Sequence, residues 1–205
     1  MSADAEGLPL LGGALCLDFT NTREPWGAEY PREYLTDYAG LLAWAIHAGA
    51  LGAELAAPLG TLAEAEPERA AAVLDQAHAL RRAVYYLFSG NAQGHAVEED
   101  AVERLNRALA QAWSHRRLIR TDGEFTWGWQ GMEADLGSVL WPVALSAAEL
   151  LASPQRARVK ACAGCGWLFL DVSRPGTRRW CDMAVCGNRA KVQRHYARAR
   201  EAAPR

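Results

Sequence analysis

Four of the chain's five cysteines stand together near its end: C-x2-C at Cys162 and Cys165, a gap of fifteen residues, then C-x4-C at Cys181 and Cys186. A short loop lets two thiolates turn toward one ion at about 2.3 Å, so this spacing predicts two knuckles closing on a single tetrahedral zinc. Gly164 and Gly166 provide the backbone freedom the first knuckle needs. The predicted role of the metal is structural, because binding supplies folding energy that a small module cannot draw from its own core. Release of zinc on oxidation is open to any exposed thiolate cluster, and no residue here argues for it over the structural role.

The elements around the cysteines must aim them. Trp167 to Asp171 alternates like a strand, Ser173 to Thr177 reads as a turn, and Arg179-Trp180 reads as a return strand. From Ala184 the chain turns helical, with Cys186 in the first turn, where the helix dipole favours a thiolate. At 100° per residue, Lys191, Arg194 and Arg198 fall within a sector of about 60°, and Val192, Tyr196 and Ala199 lie elsewhere. Knuckle, hairpin and ligand-bearing helix make a treble clef.

Charge separates this tail from what precedes it. Residues 1–154 carry 10 basic and 21 acidic side chains, a balance of −11, and residues 155–205 carry 12 and 3, a balance of +9. Four thiolates on one zinc subtract two charges, so the tail keeps the positive field expected of a polyanion binder. Only Lys160 and Lys191 are lysines there. Arginine suits bidentate contacts to phosphate and guanine.

With 205 residues, half of them hydrophobic, the chain can bury one large core and carry a small appendage. The boundary falls at Ser153-Pro154, giving expected domains 1–154 and 155–205. No run of about 18 apolar residues occurs and the start, MSADAEGLP, is acidic, so a soluble cytoplasmic protein without membrane contact is expected. In that reducing compartment, clustered cysteines favour metal over disulfides.

The first domain reads as α+β and mostly helical. Leu15 to Phe19 looks like a strand. Apolar spacing predicts helices over Tyr34–Leu51, with Thr36 or Asp37 near the start, over Glu66–Phe88, stopped by Ser89-Gly90-Asn91, and onward from about Val97 to Trp113. Asp122-Gly123 between two short runs predicts a β-hairpin that could pair with the N-terminal strand. Leu136 to Leu151 is apolar on nearly every side, a central helix that tolerates Pro142 only in its first turn or at a kink. Asp18, Asn21, Thr22 and Arg23, directly after the expected strand, could line a small-molecule site, with Trp127 and Trp129 among the tryptophans able to wall it. A turn satisfying its own backbone, and core filling by the tryptophans, are the plainer readings. No phosphate-binding loop, nucleophile elbow, dinucleotide fingerprint or H-E-x-x-H occurs, so an enzyme is not expected.

The string from Cys162 to Arg198 resembles the CGNR-type zinc finger, named for residues that stand here as Cys186, Gly187, Asn188 and Arg189. LCLDFTNTR and the helical region after it are similar to the ABATE domain of stress-induced transcription regulators, which usually precedes that finger. The resemblance implies a bacterial transcription regulator whose finger binds DNA and whose N-terminal domain senses a ligand. On that reading Arg174, Arg178, Arg179, Arg189, Lys191, Arg194 and Arg198 contact duplex DNA, and Asn188 and Arg189, next to the last ligand, serve either as readers or as braces of the knuckle. A single finger offers little contact area, which makes a homodimer a natural working form. Two other classes stay open: an RNA- or protein-binding zinc module, and a small-molecule enzyme in the first domain.

Overall fold

The computed structural model describes residues 5–26, 28–93 and 99–192. Six α-helices and three two-stranded antiparallel sheets make up the described chain: helices α1 (Leu15–Thr20), α2 (Tyr38–His47), α3 (Ala56–Ala65), α4 (Pro67–Gln93), α5 (Glu99–His115) and α6 (Trp141–Ala152), with strand pairs β1–β2 (Arg23–Glu24, Arg32–Glu33), β3–β4 (Arg116–Thr121, Glu124–Trp129) and β5–β6 (Val159–Ala161, Leu168–Leu170). The fold is α+β and mostly helical, and the cysteines close its C-terminal part. Among the described residues no helix is long and apolar enough to cross a membrane.

The run expected as an N-terminal strand is helix α1. Cys16, Leu17 and Phe19 are wholly buried, with α4, α6 and β6 as neighbours, and a short run that is apolar on all sides cannot be told from a strand by alternation. Hydroxyls settle its end: Thr20 Oγ1 donates to Leu17 O and Thr22 Oγ1 to Phe19 O, both at 2.7 Å. With no strand there, β3–β4 pairs only with itself. Asp122 and Gly123 take positive φ, 54° and 89°, as its two-residue turn requires.

Helix α2 starts at Tyr38, later than the apolar spacing predicts, because Asp37 caps it by accepting from Gly40 N at 2.7 Å. Helix α4 runs through Ser89-Gly90-Asn91 to Gln93. A glycine inside a helix costs about 1 kcal/mol relative to alanine, less than the packing along this buried face returns. Pro142 stands in the first turn of α6, where no amide is needed, after a 3-10 turn over Leu136–Leu140.

One core runs through both ends of the chain. Leu168 and Phe169 of β6 are wholly buried in the same cluster as Leu17, Phe19 and Val84. Asn21 joins the two parts: its Oδ1 accepts from Leu168 N and its Nδ2 donates to Leu168 O, each at 2.9 Å. Gly12 O accepts from Leu170 N at 2.8 Å, and the Trp167 indole donates to Arg23 O at 3.2 Å. Below them Arg81 of α4, fully buried, donates to both carboxylate oxygens of Glu33 and to Thr22 Oγ1. Burial alone would raise the Glu33 carboxyl, but the hydrogen bond and charge of Arg81 outweigh it and hold Glu33 below the usual carboxylate range.

Replacing Asn21 by alanine strands a buried N–H and a buried C=O of Leu168 together. Asn21→Ala is expected to lose roughly 2–5 kcal/mol of stability in denaturant unfolding. A loss under about 1 kcal/mol would show that other partners take over both groups.

Candidate metal centre

The first cysteine pair sits in the turn of a hairpin. β5 leads into Cys162, the chain reverses over the knuckle, and β6 returns with Ala161 opposite Leu168. Cys162 N donates to Trp167 O and Gly166 N to Cys162 O, at 2.8 and 2.9 Å. Gly166 has φ +78°, and a side chain there would point at Trp26, whose ring stacks on Tyr85 at 3.8 Å. Gly164 sits close to the second pair: a Cβ on it would lie in contact with Cys186, 3.4 Å from its Cβ.

The strand that pairs with Leu168–Leu170 therefore precedes it, and the expected return strand at Arg179-Trp180 does not form. Side chains hold that segment instead. Buried Asp171 accepts from Ser173 N and Oγ through one oxygen, and from Arg178 N and Lys160 Nζ through the other. The Ser173 hydroxyl and the Lys160 ammonium keep its carboxyl far below the ordinary range. Lys160 also donates to Gly176 O, and Arg158 reaches Asp171 O at 2.7 Å.

The second pair is set by a wide, π-type turn over Met183–Gly187, which Asp182 caps by accepting from Val185 N at 2.8 Å. Helix then continues over residues 188–192. The wide turn gives each residue of the C-G-N-R run its own task. Cys186 is a ligand, and Gly187 lets the Met183 side chain lie against the backbone, where a Cβ would push the methionine thioether aside. Asn188 Nδ2 donates back to Ala184 O at 2.9 Å, which makes it a brace, and Arg189 is left exposed.

All four Sγ atoms lie within 4.8 Å of one another and are buried. Cys165 to Cys181 is 3.6 Å and Cys181 to Cys186 is 3.8 Å. A tetrahedron with bonds of about 2.3 Å has edges of about 3.8 Å, so the donor set fits one zinc ion. Four thiolates fill its coordination shell, and the metal is structural. The fifth cysteine, Cys16, is apart and inert, pushed up to about 12 by burial.

The other residues singled out from the sequence divide. Arg178 is engaged, donating to Cys181 O at 2.7 Å with its guanidinium 4.8 Å from the Phe169 ring centre. Arg174, Arg179, Arg189 and Lys191 are exposed and make no ion pair among the described residues, and Arg179 lies over the neighbouring Trp180 ring. Arg194 and Arg198 lie outside the described residues. Asn21 and Thr22 spend their polar atoms on the fold, and Asp18 accepts from Gly12 N at 2.7 Å. Arg23 lends its carbonyl to Trp167. Trp127 and Trp129 stand apart from these on the β3–β4 hairpin, Trp127 against Trp113 and Trp129 against Trp141, with Arg116 4.4 Å above Trp129. Sequence reading missed Arg81, because nothing marks one arginine of a long helix as wholly buried.

Among known families, residues 13–154 match ABATE, described as a "putative stress-induced transcription regulator", and residues 158–199 match the CGNR zinc finger. No curated protein matches the chain.

Two outcomes follow from this geometry. One zinc per chain is expected by metal analysis; Cys162→Ser should drop it well below one and Cys16→Ala should leave it at one. Because the knuckle hairpin shares the body's core, chelation should lower the melting temperature of the whole chain, and an unchanged melt would separate the finger energetically. The second outcome concerns Asp18, which burial pushes up to about 6 against the pull of the Gly12 N–H and His47. Between about pH 4 and 6 the folded chain keeps a proton that the unfolded chain has released, so stability falls as pH rises through that window. Asp18→Asn keeps an acceptor for Gly12 without titrating, and its stability relative to the parent should rise across the same window in urea unfolding; parallel curves would mean that Asp18 titrates alike in both states.

Proposed function

The chain belongs to the ABATE family and carries a CGNR zinc finger after it, and from that premise we propose a cytoplasmic, zinc-dependent transcription regulator that binds duplex DNA. Residues 1–154 form the ligand-sensing part and 155–205 the DNA-binding part. The observation that carries the reading is a set of cations without an ion pair among the described residues: Arg174, Arg179, Arg189 and Lys191 stand exposed on a zinc-braced scaffold, and residues 155–205 carry +9 before the metal is counted. Arg194 and Arg198 continue the same helical sector in sequence. These side chains supply phosphate contacts, and Arg189, beside the last ligand, is the one proposed to reach a base edge. Arg178, Lys160 and Asn188 brace the scaffold that presents them. The protein acts by binding and not by catalysis.

One small finger gives too little contact for specificity, so the working form is a homodimer. The β3–β4 hairpin suits the contact: Leu118, Phe125 and Trp127, with Trp113 of α5, are all more than half exposed, and a lone two-stranded hairpin gains from a covered face.

The full zinc-loaded chain should bind duplex DNA with log affinity falling against log salt at a slope of roughly −4 to −5, from four to six phosphate contacts. Lys191→Ala should weaken all sequences alike and flatten the slope by about 1, and Arg189→Ala should also relax the preference at one base. Selection from a random duplex library should return two half-sites. Absence of DNA affinity at low salt would overturn the reading, and preference for structured RNA over duplex DNA would replace it with an RNA-binding module.

A further inference from the structure

A cavity of about 880 Å³ opens between α2, α3 and α4, far larger than packing defects and within the range of drug-sized ligand sites. Its walls are apolar: Leu42 and Ile46 from α2, Ala63 from α3 and Leu74 from α4. Gly60 stands in the middle of α3, where a glycine costs about 1 kcal/mol relative to alanine. Close packing does not explain it, since a Cβ built there meets nothing within 4 Å and would project into open space. Gly60 therefore faces the hollow, and a large side chain there would enter it.

The rim carries two carboxylates, Asp37 and Glu64, and one imidazole, His47, whose Nε2 is engaged with Leu8 O at 2.9 Å. Asp37 gives one carboxylate oxygen to the cap of α2 and leaves the other unengaged, and Glu64 makes no hydrogen bond or ion pair among the described residues. No lysine or arginine lines the cavity, and residues 1–154 as a whole carry −11. By contrast, a second cavity of about 570 Å³ between α4 and α5 is lined by Arg69, Arg104 and Arg107. An apolar anion placed in the first cavity would meet two carboxylates and an unfavourable field. A neutral apolar molecule would leave both carboxylates unused. A cation with an apolar body meets both features at once.

We propose that this cavity binds organic monocations with a bulky apolar body, the class of hydrophobic amines and cationic dyes, with the body against Leu42, Ile46 and Leu74 and the charge beside Asp37 and Glu64. The proposal rests on the reading of the first 154 residues as the sensing part, and it names the site and the chemistry sensed.

Rhodamine 6G serves as the cationic probe, Nile red as a neutral one and anilinonaphthalene sulfonate as an anionic one, each titrated into the full zinc-loaded chain and followed by fluorescence anisotropy. Saturable one-to-one binding of rhodamine 6G is expected, tighter than that of the anion. Gly60→Leu, which fills the hollow and favours helix, should weaken rhodamine 6G by about tenfold or more with the melting temperature kept or raised. The double variant Asp37→Asn with Glu64→Gln, in which asparagine still caps α2, should weaken rhodamine 6G by about tenfold and leave Nile red unchanged. No saturable binding, binding indifferent to Gly60→Leu, or anion binding as tight as the cation's and equally lost in that variant would each overturn the proposal. Measuring DNA affinity with and without the probe keeps the two readings apart. Probe binding that leaves DNA affinity unmoved supports the cavity and overturns its role as sensor, and a chain that binds the probe but no DNA supports the cavity and overturns the regulator.

Discussion

Two hydrogen bonds from one amide hold the zinc finger to the helical body. Asn21 meets the N–H and the C=O of Leu168 in a dry interior, and no other uncharged side chain offers a donor and an acceptor at that spacing on so short a stem. The outward edge of β6 would otherwise present unpaired backbone to an apolar core, a cost that would exclude the strand from it. With the pair made, Leu168 and Phe169 join the cluster built by α1 and α4, and the knuckle follows them. The finger's orientation is thus fixed by the body as well as by the metal.

That joint explains which parts of the chain could be read from residue order. Metal spacing is local, and the four cysteines needed only their intervals to be found. The Asp-Gly hairpin turn and the Pro142 start of α6 are local in the same sense. Elements whose identity depends on a distant partner were misread. The helix at Leu15 to Thr20 is not legible because burial of Cys16, Leu17, Phe19 and Thr20 leaves it no amphipathic signature. The partner of β6 lies before it because the knuckle is itself the hairpin turn, and that follows from the path of the chain through Cys162 to Cys165. Asn21, Thr22 and Arg23 resemble a site because polar residues after an apolar run often line one; in the fold Asn21 binds a strand more than 140 residues away, the Arg23 carbonyl accepts from Trp167, and Thr22 meets Phe19 and Arg81.

Charge is divided by task as well as by sequence. Among the described residues the two fully buried charged side chains each have a counterpart: Arg81 faces Glu33, and Asp171 faces Lys160. Breaking either pair would leave an uncompensated ion in a low dielectric, so both act as fixed points for the loops they join. Outside, the signs separate. The acidic body and the basic finger create opposing fields on one particle, and screening beyond about 8 Å at physiological ionic strength keeps each effective only near its own surface.

The arrangement bears on how occupancy of the body could reach the finger. α4 lines the 880 Å³ cavity near its start through Leu74, carries Arg81 in its middle, and stacks Tyr85 on Trp26 beside the knuckle glycine Gly166. A helix transmits displacement along its axis with little loss, because its backbone hydrogen bonds are intrahelical and its buried face is close-packed. Movement of α4 by a ligand wedged against Leu74 would therefore act on the two groups that meet Thr22 and Gly166, the residues flanking the Asn21 joint on either side. For such coupling to exist, the ligand must bind two arrangements of α4 with different affinity, and the joint must be satisfied in both. Asn21 meets the second condition only where Leu168 moves with it. Under the proposed coupling the finger would have to shift as a body with its zinc shell intact, and what would change for a polyanion is the placement of Arg174, Arg179, Arg189 and Lys191 relative to the acidic domain.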